Sequence, residues 1–359
     1  MRVLVTGSEG YIGAVLVPVL VGRGHDVVGL DTGFYLGGRL YHDRHDKPPT
    51  LARDIRHVTV DDVAAFDAVV HLAELSNDPL GSHNPGSTFA INHLGSMRLA
   101  RTAKAAGVGR FLYASSCSVY GLGSDAPRTE TSETAPQTPY AECKLLCERG
   151  LADLDGPGFV TTCLRNATAF GASPRMRFDV VLNNLAGLAW TTGRIEMTSD
   201  GTPWRPLVHV RDIAQAVALT LEAPADTIQG QILNVGDDAQ NYRVAEIAEI
   251  VASAFPGCLT SFGPPSGDTR SYRVDFGKIR SVLPAFRCRY AARDGASELR
   301  TLFRNIGMDV ETFTATPFTR LLELKRLVAS GQLDEAFNWS STGLPSAFRS
   351  EAPALQGVA

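Results

Sequence analysis

The segment Tyr140-Ala141-Glu142-Cys143-Lys144 places a phenol and an ammonium four residues apart, so on a helix they share one face. A tyrosine titrating near 10 is a poor base at neutral pH. A neighbouring cation favours the phenolate, and moving such a group by about three units takes roughly 4 kcal/mol, a plausible sum for charges in a partly dry site. Ahead of it runs Ser115-Ser116-Cys117-Ser118-Val119-Tyr120-Gly121, where the Ser116 hydroxyl, at the end of an apolar run, can bond the same substrate oxygen that Tyr140 serves. Tyr-x-x-x-Lys is common by chance and is then usually a surface pair, so its meaning depends on what surrounds it.

A second constellation supplies that context. Thr6-Gly7-Ser8-Glu9-Gly10-Tyr11-Ile12-Gly13 follows one apolar run and opens the next, with Gly7, Gly10 and Gly13 reading G-x-x-G-x-x-G. Glycines let the backbone approach a pyrophosphate, and a helix starting there offers unpaired N–H groups and a positive dipole end. Asp31 closes the second apolar run eighteen residues after Gly13. A carboxylate there suits the two ribose hydroxyls of NAD and repels the 2′-phosphate of NADP; Arg39 is the one nearby residue that argues otherwise. Asp54, followed by Ile55, falls where a third strand would end, either to meet an adenine edge or as a solvated loop acid.

The elements that position these residues alternate short apolar runs with amphipathic stretches: RVLVT, Ile12 to Arg23, HDVVGLD, AFDAVVHLA, Ser87 to Ala106, GRFLYASS. The runs are nearly continuous and rich in β-branched residues, as strands covered on both faces must be. The expected fold is α/β, a Rossmann-type doubly wound parallel sheet with a smaller discontinuous α/β substrate domain. Residues 1–171 and 206–236 form the NAD-binding part, 172–205 and 237–345 the substrate part, and 346–359 a flexible tail. PLVHV and its following helix, and then QILNVG, are expected to return to the sheet. Pro18 breaks a local rule inside the first helix, where it removes a donor and costs roughly 3 kcal/mol unless the helix kinks.

Composition narrows the partners. In 359 residues, 34 Lys and Arg face 38 Asp and Glu, a net charge of −4 with neutral histidines. That balance argues against nucleic acid or a membrane surface and for a small molecule. Cysteines at 117, 143, 147, 163, 258 and 288 show no paired spacing and no cluster with histidine. Neither a metal site nor a disulfide framework is indicated, and a reducing cytoplasm fits best. The uncharged stretch from Gly10 to Gly22 is too short to span a bilayer and follows a strand and a glycine turn, unlike a signal peptide.

Taken in order, TGSEGYIG, Asp31, HLA at 71–73, Asn92, SSCSVYG, YAECK, LRNATAFG at 164–171 and RPLVHVRD at 205–212 resemble the extended short-chain dehydrogenase/reductases, in their nucleotide-sugar epimerase/dehydratase branch. The resemblance implies that Tyr140 is the catalytic acid/base, that Lys144 binds the nicotinamide ribose and tunes Tyr140, and that Ser116 aligns with the active-site Ser/Thr. It also implies cofactor contacts from Tyr11, Ile12, Ile55, Leu72, Ala73, Asn92 and Ser115, a diphosphate contact from Arg205, and a homodimer through the two long helices flanking the fourth and fifth strands.

Departures bear on the reaction. Dehydratases of this branch carry an Asp-Glu pair where this chain has Cys117 and Ser118, because elimination needs one group to take a carbon-bound proton and another to protonate the leaving hydroxyl. Decarboxylases look for a glutamate at Ser118. The small, non-acidic pair is similar to the 4-epimerases, so the leading expectation is an NAD-dependent epimerase of a nucleotide-diphosphate sugar acting at carbon 4. Alternatives are an NAD-dependent oxidoreductase of a keto-sugar or sugar-like intermediate, a 3,5-epimerase using Cys117, and, last, a dinucleotide sensor. Thr168 replaces the family's usual asparagine, and Asn183 and Asn184 are candidates to compensate or merely a polar helix face. Arg270 and Arg273 join Arg205 as candidates for the diphosphate, since guanidinium forks match phosphate oxygens. The loop residues Glu74, Ser76, Asn77, Asp78 and His83 are candidates to read sugar hydroxyls.

Overall fold

A computed structural model describes residues 1–42, 47–76, 78–122, 126–264 and 270–341. Its strands are β1 (Arg2–Thr6), β2 (Asp26–Asp31), β3 (Thr50–Ala52), β4 (Ala68–His71), β5 (Arg110–Ser116), β6 (Val160–Asn166), β7 (Thr168–Phe170), β8 (Arg194–Glu196), β9 (Trp204–His209), β10 (Gln231–Val235), β11 (Asn241–Arg243) and β12 (Leu259–Ser261). Seven of them form one parallel sheet in the order β10-β6-β5-β4-β1-β2-β3.

The two faces of that sheet are filled by alternate residues of the same strands. Val3 and Val5 of β1 point into one core with Leu16 and Leu20 of the helix Gly13–Gly22 and Ile213 and Val217 of the helix Val210–Glu222. Leu4 points into the other, with Met97 and Leu99 of the helix Ser96–Ala105 and Cys147 and Leu151 of the helix Pro139–Leu154. With helices on both faces, every residue of β4 and β6 is buried, including the polar Thr161, Thr162, Arg165 and Asn166 of β6. The first helix runs through Pro18 without interruption.

A third core, with Phe170, Phe178, Leu185, Ile247, Leu299 and Phe303, joins the helices Val181–Thr192, Val244–Ala254 and Ala292–Ile306. Two expectations change here. PLVHV does not rejoin the main sheet: β9 pairs with β7 on one side and β11 on the other. The cause is local, because β7 follows β6 after the single residue Ala167, whose N–H bonds the Val235 carbonyl as the chain turns away, and β10 takes the edge beside β6. Nor does the stretch 320–339 belong with the substrate region. Leu324, Leu327, Leu333 and Phe337 are buried against Leu30 and Phe34 of the dinucleotide side. The expected flexible tail, 346–359, and Asn77 lie outside the described residues. Among the described residues no helix is long and apolar enough to cross a membrane, and no group of three or more His, Cys, Asp or Glu is placed to hold a metal.

Candidate active site

The glycine turn is built so that nothing larger fits. Gly7 has φ +71°, and a Cβ there would lie 2.9 Å from the Ala73 nitrogen; a Cβ on Gly13 would lie 2.2 Å from the Gly7 carbonyl oxygen. The turn thus presents bare backbone at the start of a helix, as a pyrophosphate requires. Asp31 at the end of β2 accepts the Glu9 N–H at 3.0 Å and the Gly33 N–H at 2.8 Å, which fixes its carboxylate beside the turn. Burial raises its pKa, against the lowering by the Gly33 N–H.

Gly7, Gly10, Tyr11, Ile12, Gly13, Asp31, Ile55, Leu72 and Ala73 line one cleft of about 540 Å³, and Ser116, Ser118, Tyr140, Lys144, Thr168, Arg205 and Arg270 line it too. Thr138 caps the helix Pro139–Leu154 by accepting the Ala141 N–H at 3.2 Å, and Pro139 occupies its first turn, so Tyr140 is set at the helix entrance with Lys144 one turn further in. The Lys144 ammonium lies 5.5 Å from the Tyr140 ring centroid. It bonds the Ala114 carbonyl and the Glu74 carboxylate, the latter at 2.7 Å with both side chains almost wholly buried.

The electrostatics differ from the expectation that Lys144 makes Tyr140 acidic. Burial raises the Tyr140 pKa above the usual phenol value; Lys144 pulls it down, but Glu74 and Asp78 push it up, and Ser116 lowers it through a hydrogen bond. Lys144 would itself be pulled down by burial, yet the Glu74 carboxylate carries it above an ordinary lysine. Burial raises Glu74 in turn, against Lys144 and the Tyr113 hydroxyl that donates to it at 2.6 Å.

Several expected contacts are made inside the protein instead. Glu74 lines the cleft, but its oxygens serve Lys144 and Tyr113 rather than a sugar. Asn92, fully buried, accepts the Leu75 N–H and donates to the Leu75 carbonyl, bracing the loop after β4. The Asp54 carboxylate caps the following turn and pairs with Arg56 at 2.6 Å, and Asp54 lines the cleft beside Ile55. Ser115 lines the cleft, while its hydroxyl donates to Glu148 at 2.5 Å.

Cys117 points away from the cleft, 1% exposed, its thiol donating to the Arg165 carbonyl at 3.2 Å and pushed far up by burial. A protonated, enclosed thiol cannot serve a 3,5-epimerase. Asn183 bonds the Gly171 N–H, the Tyr11 hydroxyl and the Arg177 carbonyl, and Asn184 the Phe178 carbonyl; neither lines the cleft, whereas Thr168 does. Arg205 donates to the Trp204 and Arg270 carbonyls, and Arg270 pairs with Asp78; both stay in the cleft wall. Arg273 lies over the Trp204 ring, 5.3 Å from its centroid, outside that wall. Ser76 lines the cleft and accepts from Arg177 at 3.2 Å.

Among the wall residues that sequence reasoning missed are Asn166, Tyr35, Arg177 and Arg320. Asn166 ends β6 in the cleft with its side-chain oxygen buried and unpartnered, as is the Ser118 hydroxyl. Tyr35, Arg177 and Arg320 enter from loops and the C-terminal helix. Asn166 was legible as a polar residue at the end of the strand beside the Ser116 strand; nothing near Arg320 in the chain announces its place.

A Rossmann-type sheet, a glycine turn with no room for side chains, an acid on β2 and a Tyr/Lys/Ser set in one cleft define an NAD-dependent enzyme of the extended short-chain dehydrogenase/reductase type. The chain belongs to the NAD-dependent epimerase/dehydratase family, whose profile matches residues 3–236. It is 31% identical over 326 residues to the UDP-glucose 4-epimerase of Mycolicibacterium smegmatis, covering 85% of this chain and 99% of that one. Among solved structures it is similar to MoeE5 in complex with UDP-glucuronic acid and NAD, with 30% identity, a TM-score of 0.72 and 85% and 99% of the two chains covered. It is also similar to the Thermus thermophilus UDP-glucose 4-epimerase in complex with NAD, at 26% identity and TM-score 0.70 over 85% and 99% of the chains.

Proposed function

We propose that this protein is an epimerase of nucleotide-diphosphate sugars acting at carbon 4 through transient oxidation to a keto-sugar. The observation that carries the reading is the scarcity of free acids around Tyr140. The two positions after Ser116 hold a buried thiol and a small hydroxyl. The nearby carboxylates Glu74 and Asp78 are tied to Lys144 and to Thr138 and Arg270. Elimination of water needs two proton-transfer groups of complementary duty, whereas inversion at a carbinol needs one that gives back what it took.

In this reading the glycine turn and Asp31 hold the dinucleotide, and bound NAD supplies a hydride acceptor that later serves as donor. Tyr140 takes the proton of the reacting hydroxyl and returns it. Ser116 holds the same oxygen in line. Lys144 orients the nicotinamide ribose, while Arg205 and Arg270 bind the sugar-nucleotide diphosphate. Ser118, Asn166 and Thr168 face the sugar.

The test is a panel of UDP-, GDP-, CDP- and dTDP-sugars, with the 4-epimer measured by chromatography and reduced cofactor by absorbance. Interconversion without accumulation of reduced cofactor is expected. Stoichiometric accumulation of NADH would replace this reading with a net dehydrogenase. The homodimer through the helices Ser96–Ala105 and Pro139–Leu154 forms part of the same proposal and is read by sedimentation.

A further inference from the structure

Two buried polar groups of the cleft wall are poorly satisfied within the protein. The Tyr35 hydroxyl is closed off from solvent and makes no hydrogen bond. Arg320 is 2% exposed, its guanidinium stacked 4.0 Å above the Tyr35 ring centroid. Its side chain donates one hydrogen bond, a long one of 3.5 Å to the Pro317 carbonyl. The Asp179 carboxylate meets the Arg177 guanidinium at 2.8 Å and accepts the backbone N–H of Arg320 at 3.2 Å; its field and that of Asp31 favour the charged Arg320 guanidinium. Burial first, and then repulsion from Arg177, pull the Arg320 pKa down to about 10.

A buried guanidinium with no hydrogen-bonded side-chain counter-ion among the described residues is a costly arrangement that folding alone does not favour. Its position is nevertheless enforced. Leu324 and Leu327 bury the helix Arg320–Ala329 in the core behind β2, and the chain beyond is fastened where Trp339 donates to the Thr32 carbonyl and Arg56 to the Ala336 carbonyl, each at 2.7 Å. Arg320, Tyr35 and Arg177 all line the cleft that holds the glycine turn, and Asp31 is among the charges that act on Arg320. Arg205 and Arg270 stand elsewhere, by Asp78.

We propose that Arg320, Tyr35 and Arg177 form a second anion-holding wall that grips the diphosphate of the dinucleotide from the side of the cleft contributed by the C-terminal helix. The planar guanidinium offers paired donors to phosphate oxygens, the Tyr35 hydroxyl adds one more, and the anion adds a counter-charge at hydrogen-bond distance to the fields of Asp179 and Asp31. The inference stands on the use of NAD and not on the carbon-4 reading. A diphosphate also occurs in the nucleotide sugar; the proximity to Asp31 favours the dinucleotide.

The experiment titrates NAD, ADP, adenosine and UDP into the full chain by calorimetry for the parent, Arg320→Met and Tyr35→Phe, with melting of each ligand-free protein. Arg320→Met is expected to weaken NAD and ADP about ten- to hundredfold, the worth of one charge-assisted contact, and to leave adenosine and UDP unchanged. Its ligand-free melting temperature should hold or rise, because a buried charge has gone. Tyr35→Phe should weaken NAD and ADP several-fold in the same pattern. Unchanged NAD affinity, an equal loss for adenosine, or a loss confined to UDP would each overturn the proposal. So would a fall in ligand-free stability for Arg320→Met with Tyr35→Phe behaving as parent.

Discussion

The Glu74 carboxylate and the Lys144 ammonium form a 2.7 Å ion pair that is almost wholly buried beside Tyr140. A cation lowers a neighbouring phenol's pKa only to the extent that its field is not cancelled nearby. Here a carboxylate stands against the cation and adds its own upward push on Tyr140 to that of burial. Tyr140 in the ligand-free protein is therefore a protonated phenol; in the proposed reaction the positive charge of oxidised NAD, when bound, would favour its phenolate.

Glu74→Gln tests that balance. It removes the negative charge and leaves a side chain of the same size to hold Lys144 and Tyr113. The Tyr140 pKa should fall, so the acidic limb of the kcat/KM profile against pH should move to lower pH. Plateau kcat should change by less than about tenfold, well short of losing an acid/base group. An unmoved limb would mean that Lys144 is not screened by Glu74.

Tyr140→Phe removes the proposed proton carrier and nothing else of comparable size. Turnover should drop by about 10² to 10⁴, the usual worth of a positioned acid/base. The Kd for NAD, measured by fluorescence, should stay within a few-fold of the parent. A variant keeping most of its activity would eliminate Tyr140 from the chemistry.

Gly13→Ala would place a methyl 2.2 Å from the Gly7 oxygen and 2.7 Å from the Ser8 Cα, against backbone that has nowhere to go. It should cost about 1–3 kcal/mol in urea unfolding and weaken NAD. Gly22→Ala, where an added Cβ meets nothing within 4 Å, should be neutral or stabilising by about 0.5–1 kcal/mol. Equal effects from the two would refute the steric account of the turn.

His71 carries a pH dependence of stability. Its ring nitrogens lie 2.7 Å from the Thr6 and Ser96 hydroxyls, and burial, with Lys144 adding, lowers its pKa from 6.5 to about 3. The unfolded chain gains a proton below 6.5 that the folded protein refuses until about 3. The folded state is thus favoured above 6.5 and loses about 1.4 kcal/mol per pH unit across that window from this group. Urea unfolding at pH 7, 6 and 5 should show this slope in the parent and a shallower one in His71→Gln. Parallel slopes would contradict it.

What the chain's order of residues determined was everything that depends on local stereochemistry. The buried parallel strands follow from β-branched runs, the dinucleotide turn from glycine spacing at a strand end, and the shared face of Tyr140 and Lys144 from the helical period, all set within a few residues. Tertiary packing decided who meets whom across the cleft. It gave Glu74 to Lys144 instead of to a sugar, turned Cys117 inward toward Arg165, spent Asn183 on Tyr11, kept β9 out of the main sheet and carried Arg320 from the far end of the chain to the cofactor cleft. Such partners are fixed by which side chains close a cavity together, and distance along the chain carries no information about that.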